Sequence, residues 1–220
     1  PWVAEAVSGS IPGATYMGMP MRTSIVALDR AGQRAAARAH FGLDPDRVTL
    51  LVFGGSLGAK RLNEVVTGAA ADLRAAGVQV LHAVGESAAG VVPVGDDGVA
   101  YVTLPYIDRM DLAYAAADLA ITRAGAMTCA ELAAVGLPAV YVPLPIGNGE
   151  QRLNAQPVVT AGGGLLIEDA DFTAGALRAQ VLPLIADPQR LAEMGRAASA
   201  HGVRDGAERL ANMVRTAGGA

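Results

Sequence analysis

The stretch VTLLVFGGSLGAKRLNEVV, residues 48–66, joins a run of apolar residues to a helical pattern through two glycines and a serine. A helix start leaves backbone N–H groups without partners and carries about half a positive charge. Glycine lets an anion approach the backbone, and the hydroxyl of Ser56 adds a donor, so this turn could bind a phosphate group. The spacing is neither GxxxxGK[ST] nor GxGxxG, which argues against ATP hydrolysis and simple NAD binding. An ordinary strand-to-helix turn explains these residues about as well.

A second strand-to-helix turn of the same design lies in LAITRAGAMTCAELAAVGLPAVYVP, residues 119–143. Small side chains, Gly125 and Ala126 among them, stand where an anion would meet the helix, and Thr128 adds a hydroxyl. Glu131 follows about one turn later, where its carboxylate could accept both hydrogen bonds of a ribose diol. An acid near a helix start also favours the helix dipole by about 0.3–1 kcal/mol, so both roles fit Glu131 considered alone. The two helix starts together favour a ligand.

A third polar stretch is PLPIGNGEQRLNAQPV, residues 143–158. Glu150, Gln151 and Asn154 line the start of a predicted helix, and their amide and carboxylate groups suit sugar hydroxyls, which need donors and acceptors. Considered alone, a polar, capped helix start is the better explanation of such residues.

Other candidate reactive groups are interpreted as structural. Asp-Pro-Asp at 44–46 and Asp-Ala-Asp at 169–171 have the Asp-x-Asp spacing of metal-dependent glycosyltransferases. Each lies in a polar turn, where capping and loop solvation are the simpler roles, so we assign no metal and no cofactor. His82 lies in an apolar strand and is predicted to be a packed residue, and Cys129 is predicted to be a small buried hydrophobe.

The elements that must position these residues alternate along the chain. Apolar runs predict strands at 48–53, 78–84, 99–104, 119–122, 139–142 and 165–168, with a short first strand at 14–17. Helical patterns occupy 29–40, 62–73, 108–117, 126–135, 150–161, 173–186, 188–200 and 205–217. In 62–73 the apolar residues form one stripe. Unbroken apolar strands are covered on both faces, so the predicted fold class is α/β with a doubly wound parallel sheet, which is Rossmann-like. Such sheets bind ligands beyond the carboxyl ends of their strands.

The composition excludes several functional classes. The chain has 220 residues, of which 52% are hydrophobic and 17% charged, enough for a full core. The net charge of −4 and the lack of a basic run argue against nucleic acid as the main partner. A single cysteine rules out an internal disulfide and fits a reducing compartment. No apolar run is long enough to span a membrane.

Several of these motifs resemble one family. GGSLGAKRLNE, RAGAMTCAELAAVGLPAVYVPLP and NGEQRLNA followed by AGGG resemble the carboxyl-terminal, donor-binding domain of the MurG family, N-acetylglucosaminyltransferases of the glycosyltransferase family 28 type. GMPMR resembles the family's Gly-Asn-Pro-Val-Arg, and PYIDRM resembles its Phe-Ile-Asp-Asp-Met. The resemblance implies the carboxyl-terminal half of a GT-B fold, with a donor domain at 18–220 and the end of a preceding segment at 1–17.

The resemblance implies an inverting transfer of N-acetylglucosamine from UDP-GlcNAc to a lipid-linked muramyl-peptide, which converts lipid I to lipid II in peptidoglycan synthesis. Arg22 and, through its backbone, Ile107 would flank the uracil, Ser56 would meet the diphosphate, and Glu131 would hold the ribose. Glu150 would hold sugar hydroxyls, although it stands where the family has glutamine and can only accept. The full implied donor set is Arg22, Ser56, Ile107, Gly125, Ala126, Met127, Thr128, Glu131, Glu150, Gln151 and Asn154.

The resemblance assigns the acceptor site, the general base and the membrane-facing patch to an amino-terminal domain of the family. We therefore expect this chain to be half of an enzyme that works at the cytoplasmic face of the cell membrane, to contain no catalytic residue and to have negligible turnover alone. Three alternatives stay open: the soluble donor subunit of a two-chain glycosyltransferase, a sugar-nucleotide epimerase of the same fold, and a structural α/β domain that binds no nucleotide.

Overall fold

A computed structural model describes residues 15–55, 59–86 and 98–218. Six strands form one sheet in the order β3-β2-β1-β4-β5-β6, and every neighbouring pair is parallel. The predicted doubly wound parallel sheet is therefore confirmed. The strands are β1 (Thr49–Phe53), β2 (Gln79–Ala83), β3 (Tyr101–Leu104), β4 (Leu119–Thr122), β5 (Ala139–Tyr141) and β6 (Gly164–Leu166).

Helices connect the strands and cover the sheet. They are α1 (Thr23–Val26), α2 (Arg30–His40), α3 (Lys60–Gly68), α4 (Ala70–Ala75), α5 (Met110–Ala116), α6 (Ala126–Val135), α7 (Glu150–Thr160), α8 (Ala174–Ala176), a π-helical segment (Leu177–Val181), α9 (Leu182–Ile185), α10 (Pro188–His201) and α11 (Gly206–Gly218). Two helices predicted as continuous are divided: the first at Ala69, and the second by the π-helical segment. No described helix is both long and apolar enough to cross a bilayer.

Alternate residues of β1 show how the two faces are filled. Leu51 and Phe53 belong to the core beneath α2, α5, α6 and α7, whereas Leu50 and Val52 belong to the core beneath α3, α4 and the π-helical segment. Because successive strand side chains point to opposite faces, a fully apolar strand requires cover on both sides. The unbroken apolar runs of the sequence therefore specify a sheet between two helical layers.

The chain changes direction across the sheet between β1 and β4. β1 pairs with β2 on one side and with β4 on the other, and the last residues of the central pair, Phe53 and Thr122, lie side by side. In open α/β sheets a ligand crevice forms at such a switch point, outside the carboxyl ends of the strands. The turns that follow β1 and β4 therefore lie at the same edge.

The predicted first strand at 14–17 is wrong for the residues described, since 15–17 are not in a strand. The next residues pack against the segment before and at the start of α11: a Cβ on Gly18 would meet Val203, and one on Gly206 would meet the carbonyl oxygen of Met19 at 2.7 Å. This close backbone approach packs the segment against the start of α11. The short apolar run at 14–17 carries no signal for packing against the start of α11.

Candidate functional site

A cleft of about 740 Å³ opens at the carboxyl edge of the sheet. Its described walls come from the turns after β1, β4, β5 and β6 and from the starts of α3 and α7, and include Gly54, Gly55, Arg123 and Gln151. Gly55 has φ +95°, a conformation that glycine adopts without strain. Ser56, predicted to meet a diphosphate, lies outside the described residues together with 57 and 58.

The start of α6 follows Arg123, which lines this cleft, by three residues. Gly125 is the N-cap, with φ −63° and ψ 147°, and no described side chain caps the helix there. A Cβ on Gly125 would meet only Oγ1 of Thr128, at 3.7 Å, so the approach to the first turn is open. Met127 is 39% exposed. Among the described residues, no side chain caps the first-turn N–H groups of α6, and the first turn itself contains no acidic residue.

Glu131 is a buried carboxylate, with only 7% of its surface exposed. Its Oε2 accepts a hydrogen bond of 2.8 Å from the hydroxyl of Tyr114, and its Oε1 lies 3.9 Å from Nη2 of Arg22. Burial and the charge of Glu131 raise the pKa of Tyr114 well above its ordinary value, so the phenol stays protonated and donates. The structure thus brings Arg22 close to Glu131, and their binding of one ligand stays a prediction.

The polar start of α7 holds two loops together. Oε1 of Gln151 accepts hydrogen bonds of 3.0 Å from the backbone N–H groups of Ala124 and Leu144, while Nδ2 of Asn154 donates to the carbonyl oxygen of Ala124. Oε2 of Glu150 accepts from the N–H of its own loop residue 148. The amide nitrogen of Gln151 has no hydrogen-bond partner among the residues that the structure describes. Sugar binding by these residues stays a prediction.

Sequence reasoning missed a charged cluster in the wall of the cleft. Oδ1 of Asp169 lies 2.6 Å from Nη1 of Arg123, and its Oδ2 lies 3.5 Å from Nε of Arg61. Nη1 of Arg123 also donates to the carbonyl oxygens of Val142 and Pro143, so this cluster ties together the ends of β4 and β5 and the turn after β6. The interpretation of Asp169 as a solvated loop acid is therefore wrong.

The turn after β4 connects the pair Arg22 and Glu131 with Gln151 in the cleft. Arg22 and Glu131 lie on the α6 side, and the described lining of the cleft includes neither Glu131 nor Gly125. Gln151 lines the cleft and is bonded to Ala124, the residue before Gly125. An elongated ligand could therefore extend from the cleft across the turn after β4 towards Glu131.

Residues 49–210 match the model of the family described as glycosyltransferase family 28 C-terminal domain. The chain belongs to this family. The family resemblance predicted from the sequence is confirmed, and the fold is that of the carboxyl-terminal half of a GT-B glycosyltransferase.

Similar proteins agree with this assignment. The chain is 60% identical over 210 residues to the UDP-N-acetylglucosamine--N-acetylmuramyl-(pentapeptide) pyrophosphoryl-undecaprenol N-acetylglucosamine transferase of Streptomyces avermitilis, covering 92% of this chain and 56% of that protein. It is 58% identical over 218 residues to the Nocardioides sp. protein of the same name, covering 96% and 60%. The crystal structure of Acinetobacter baumannii MurG is similar with a TM-score of 0.75 at 27% identity, covering 94% of this chain and 58% of that one. The chain thus spans a little over half the length of these relatives.

Ile107 and Asp44 were also interpreted from the sequence, and the structure shows what surrounds each of them. Ile107 is 3% exposed and its side chain is in the core, so only its backbone could flank a uracil. Asp44 caps a turn, as predicted, through Oδ1 to the N–H groups of Asp46 and Arg47. Across the described ranges, no three His, Cys, Asp or Glu side chains are grouped as metal ligands would be.

His82 and Cys129 are packed residues, as predicted. The ring nitrogens of His82 lie 2.9 Å from the hydroxyl of Tyr101 and 3.0 Å from Oδ1 of Asn63, and burial lowers the pKa of His82 to about 4. Burial raises the pKa of Cys129 to about 12, so the thiol is neutral at physiological pH.

Proposed function

We propose that this chain binds UDP-GlcNAc as the donor half of an inverting glycosyltransferase, which transfers N-acetylglucosamine to a lipid-linked muramyl-peptide and so converts lipid I to lipid II. The observation that carries the proposal is the uncapped start of α6, with the buried carboxylate of Glu131 on the same helix, beside the glycine turn after β1. The relatives at 58–60% identity bear the name of this transferase, which supports the choice of donor and acceptor.

The diphosphate would lie between the turns after β1 and β4. The helix starting at Ala126 points its free N–H groups and the positive end of its dipole towards this space. In the transfer, charge accumulates on the departing diphosphate, and preorganised N–H donors stabilise that charge most in the transition state. Ser56, Ala126, Met127 and Thr128 are the proposed contacts.

The uridine would lie on the α6 side. Glu131 can accept both hydrogen bonds of the ribose diol, and Arg22 and the backbone of Ile107 would flank the base. The separation of 3.9 Å between Arg22 and Glu131 leaves the carboxylate only weakly paired on that oxygen. Its remaining hydrogen-bonding capacity is therefore available to a ligand.

The N-acetylglucosamine would lie at the start of α7, where Glu150, Gln151 and Asn154 supply polar groups. The engaged oxygen of Gln151 makes its amide nitrogen the donor to a sugar hydroxyl. Glu150 would complement it as an acceptor.

The acceptor and the general base would belong to a further domain, since the relatives are longer than this chain. We propose that residues 18–220 form the donor domain and that the complete enzyme acts at the cytoplasmic face of the cell membrane, contacting it through that further domain. This chain alone would then bind the donor with negligible turnover.

The proposal is tested by titration calorimetry with UDP. Glu131→Ala removes charge-assisted hydrogen bonds worth about 1.5–3 kcal/mol, so the Kd should rise by about tenfold to a hundredfold. The matched control is Glu193→Ala, which removes an exposed acid on α10 and should leave the Kd unchanged. A wild-type chain that fails to bind UDP would refute donor binding, whereas an unchanged Kd in Glu131→Ala would refute the ribose assignment.

A further inference from the structure

The hydroxyl of Tyr114 donates a hydrogen bond of 2.8 Å to Oε2 of Glu131. We propose that Tyr114 is a positioning residue, which orients the carboxylate of Glu131 towards the ribose diol of a bound nucleoside diphosphate. This inference rests on the proposed function, because it assumes that Glu131 meets the ribose.

The two oxygens of Glu131 have different surroundings. Oε2 is held by a buried phenol, whereas Oε1 faces Arg22 at 3.9 Å, and the arginine side chain is 59% exposed. A carboxylate that is fixed at one oxygen by a directional hydrogen bond cannot rotate freely about its last torsion. Tyr114 therefore leaves Oε1, together with the second lone pair of Oε2, in a fixed direction for two incoming hydroxyl groups.

The hydrogen bond also offsets the cost of burying Glu131. A carboxylate with 7% exposure loses most of its hydration, and each donor that replaces water lowers that cost. Burial raises the pKa of Tyr114, so its phenol stays protonated and carries no negative charge. The phenol therefore acts towards Glu131 as a hydrogen-bond donor.

Tyr114 is held at both ends, as a positioning residue must be. Its ring packs against Phe53, the last residue of β1, with ring centroids 6.2 Å apart. Its backbone carbonyl accepts a hydrogen bond of 3.0 Å from Nε of Arg30. The hydroxyl is thus delivered to Glu131 from a fixed ring on a fixed backbone.

Tyr141 provides a matched control in the same core. It is fully buried, and no described residue forms a hydrogen bond with its hydroxyl. Tyr114→Phe and Tyr141→Phe delete the same atom from buried tyrosines, but only the first deletion removes a partner of Glu131. A difference between the two variants therefore reports on that hydrogen bond rather than on the loss of a buried hydroxyl.

The experiment measures the Kd of both variants for UDP and for 2′,3′-dideoxyuridine diphosphate, which lacks the diol. We expect Tyr114→Phe to weaken UDP binding by about threefold to tenfold and to leave binding of the dideoxy nucleotide unchanged, since one hydrogen bond is at stake. Tyr141→Phe should change neither Kd. Equal losses for both nucleotides in Tyr114→Phe, or no loss for UDP, would overturn the positioning role.

A second measurement keeps the proposal testable if Tyr114→Phe lowers the melting temperature. In a Glu131→Ala background, Tyr114→Phe should cause no further loss of UDP affinity, because a residue that acts through Glu131 has nothing left to position. Additive losses would overturn the inference. Failure of the proposed function is separate: wild-type chain that does not bind UDP would refute it, whereas UDP binding with an unaffected Tyr114→Phe would refute the positioning role alone.

Discussion

Nη1 of Arg30 lies 2.7 Å from the carbonyl oxygen of Gly136, the residue that ends the helix bearing Glu131. The same guanidinium donates from Nε to the carbonyl oxygen of Tyr114 and from Nη2 to that of Ala117, at the end of α5. One side chain of α2 therefore holds the carboxyl ends of both helices that supply the Tyr114–Glu131 hydrogen bond. A cation at a helix carboxyl end also complements the helix dipole.

Arg30→Ala should lower the free energy of unfolding by about 2–4 kcal/mol, because three backbone acceptors lose their donor at once. Urea unfolding followed by circular dichroism measures this loss. Arg34→Ala is the control on the same helix: its ion pair with Asp118 is short, at 2.6 Å, but the arginine side chain is 38% exposed. Such a pair contributes up to about 1 kcal/mol. Equal losses in the two variants would contradict the role given to Arg30.

Gly125→Ala should leave folding intact but weaken UDP binding. The backbone of Gly125 suits any residue, with φ −63°, and a Cβ there would meet only Thr128 at an ordinary 3.7 Å. A methyl group at this point stands in the way of an anion at the start of α6, so we expect the Kd for UDP to rise several-fold and the melting temperature to stay unchanged. Calorimetric titration and thermal denaturation measure the two quantities.

Gly68→Ala is the control for this glycine substitution. Gly68 ends α3, is exposed, and a Cβ there would meet nothing within 4 Å. Gly68→Ala should leave the Kd for UDP unchanged and should not lower the melting temperature. If Gly125→Ala binds UDP as the wild-type chain does, the diphosphate does not approach the start of α6 closely.

Asp169→Asn should destabilise the fold by about 1.5–3 kcal/mol, because Arg123 and Arg61 both lose a charged partner. Arg123 is 9% exposed, so its guanidinium cannot recover full hydration. Asp171→Asn is the control, since Asp171 is exposed in the same turn. Urea unfolding that finds the two variants equally stable would show that the cluster does not hold the carboxyl edge together.

The sequence was sufficient where local patterns decide the structure. β4 and α6 were predicted with the bounds that the structure has, 119–122 and 126–135, because an apolar run, the small residues of the turn and a run of helix-forming residues define them locally. Glycine at 136 ends α6 in the left-handed conformation, with φ 65°, which is a local signal as well.

The sequence was insufficient where distant segments meet. Asp169 looks like a loop acid because its partner, Arg123, lies far away in sequence and reaches it only in the folded sheet. Likewise, no local pattern shows that Gln151 binds the backbone of Ala124, or that Tyr114 meets Glu131. Each of these contacts depends on which strand ends become neighbours, and that follows from the strand order.

The free energy of unfolding should fall in mild acid because of His82. Its side chain is fully buried, and burial lowers its pKa from 6.5 to about 4. Between these two pH values the unfolded chain binds a proton that the folded chain does not. The contribution of neutral His82 is therefore complete above pH 6.5 and is lost as the pH falls towards 4, by up to about 3 kcal/mol.

Urea unfolding of the wild-type chain and of His82→Gln at pH 7 and at pH 4.5 measures this contribution. Carboxylates also titrate in this range, so the informative quantity is the difference between the two proteins, which should be smaller at pH 4.5 because only the wild-type chain has the histidine to protonate. His40→Gln is the control, since His40 is exposed at the end of α2. The same pH dependence in wild-type and His82→Gln chains would mean that His82 is protonated as readily in the folded protein as in the unfolded one, despite its contacts with Tyr101 and Asn63.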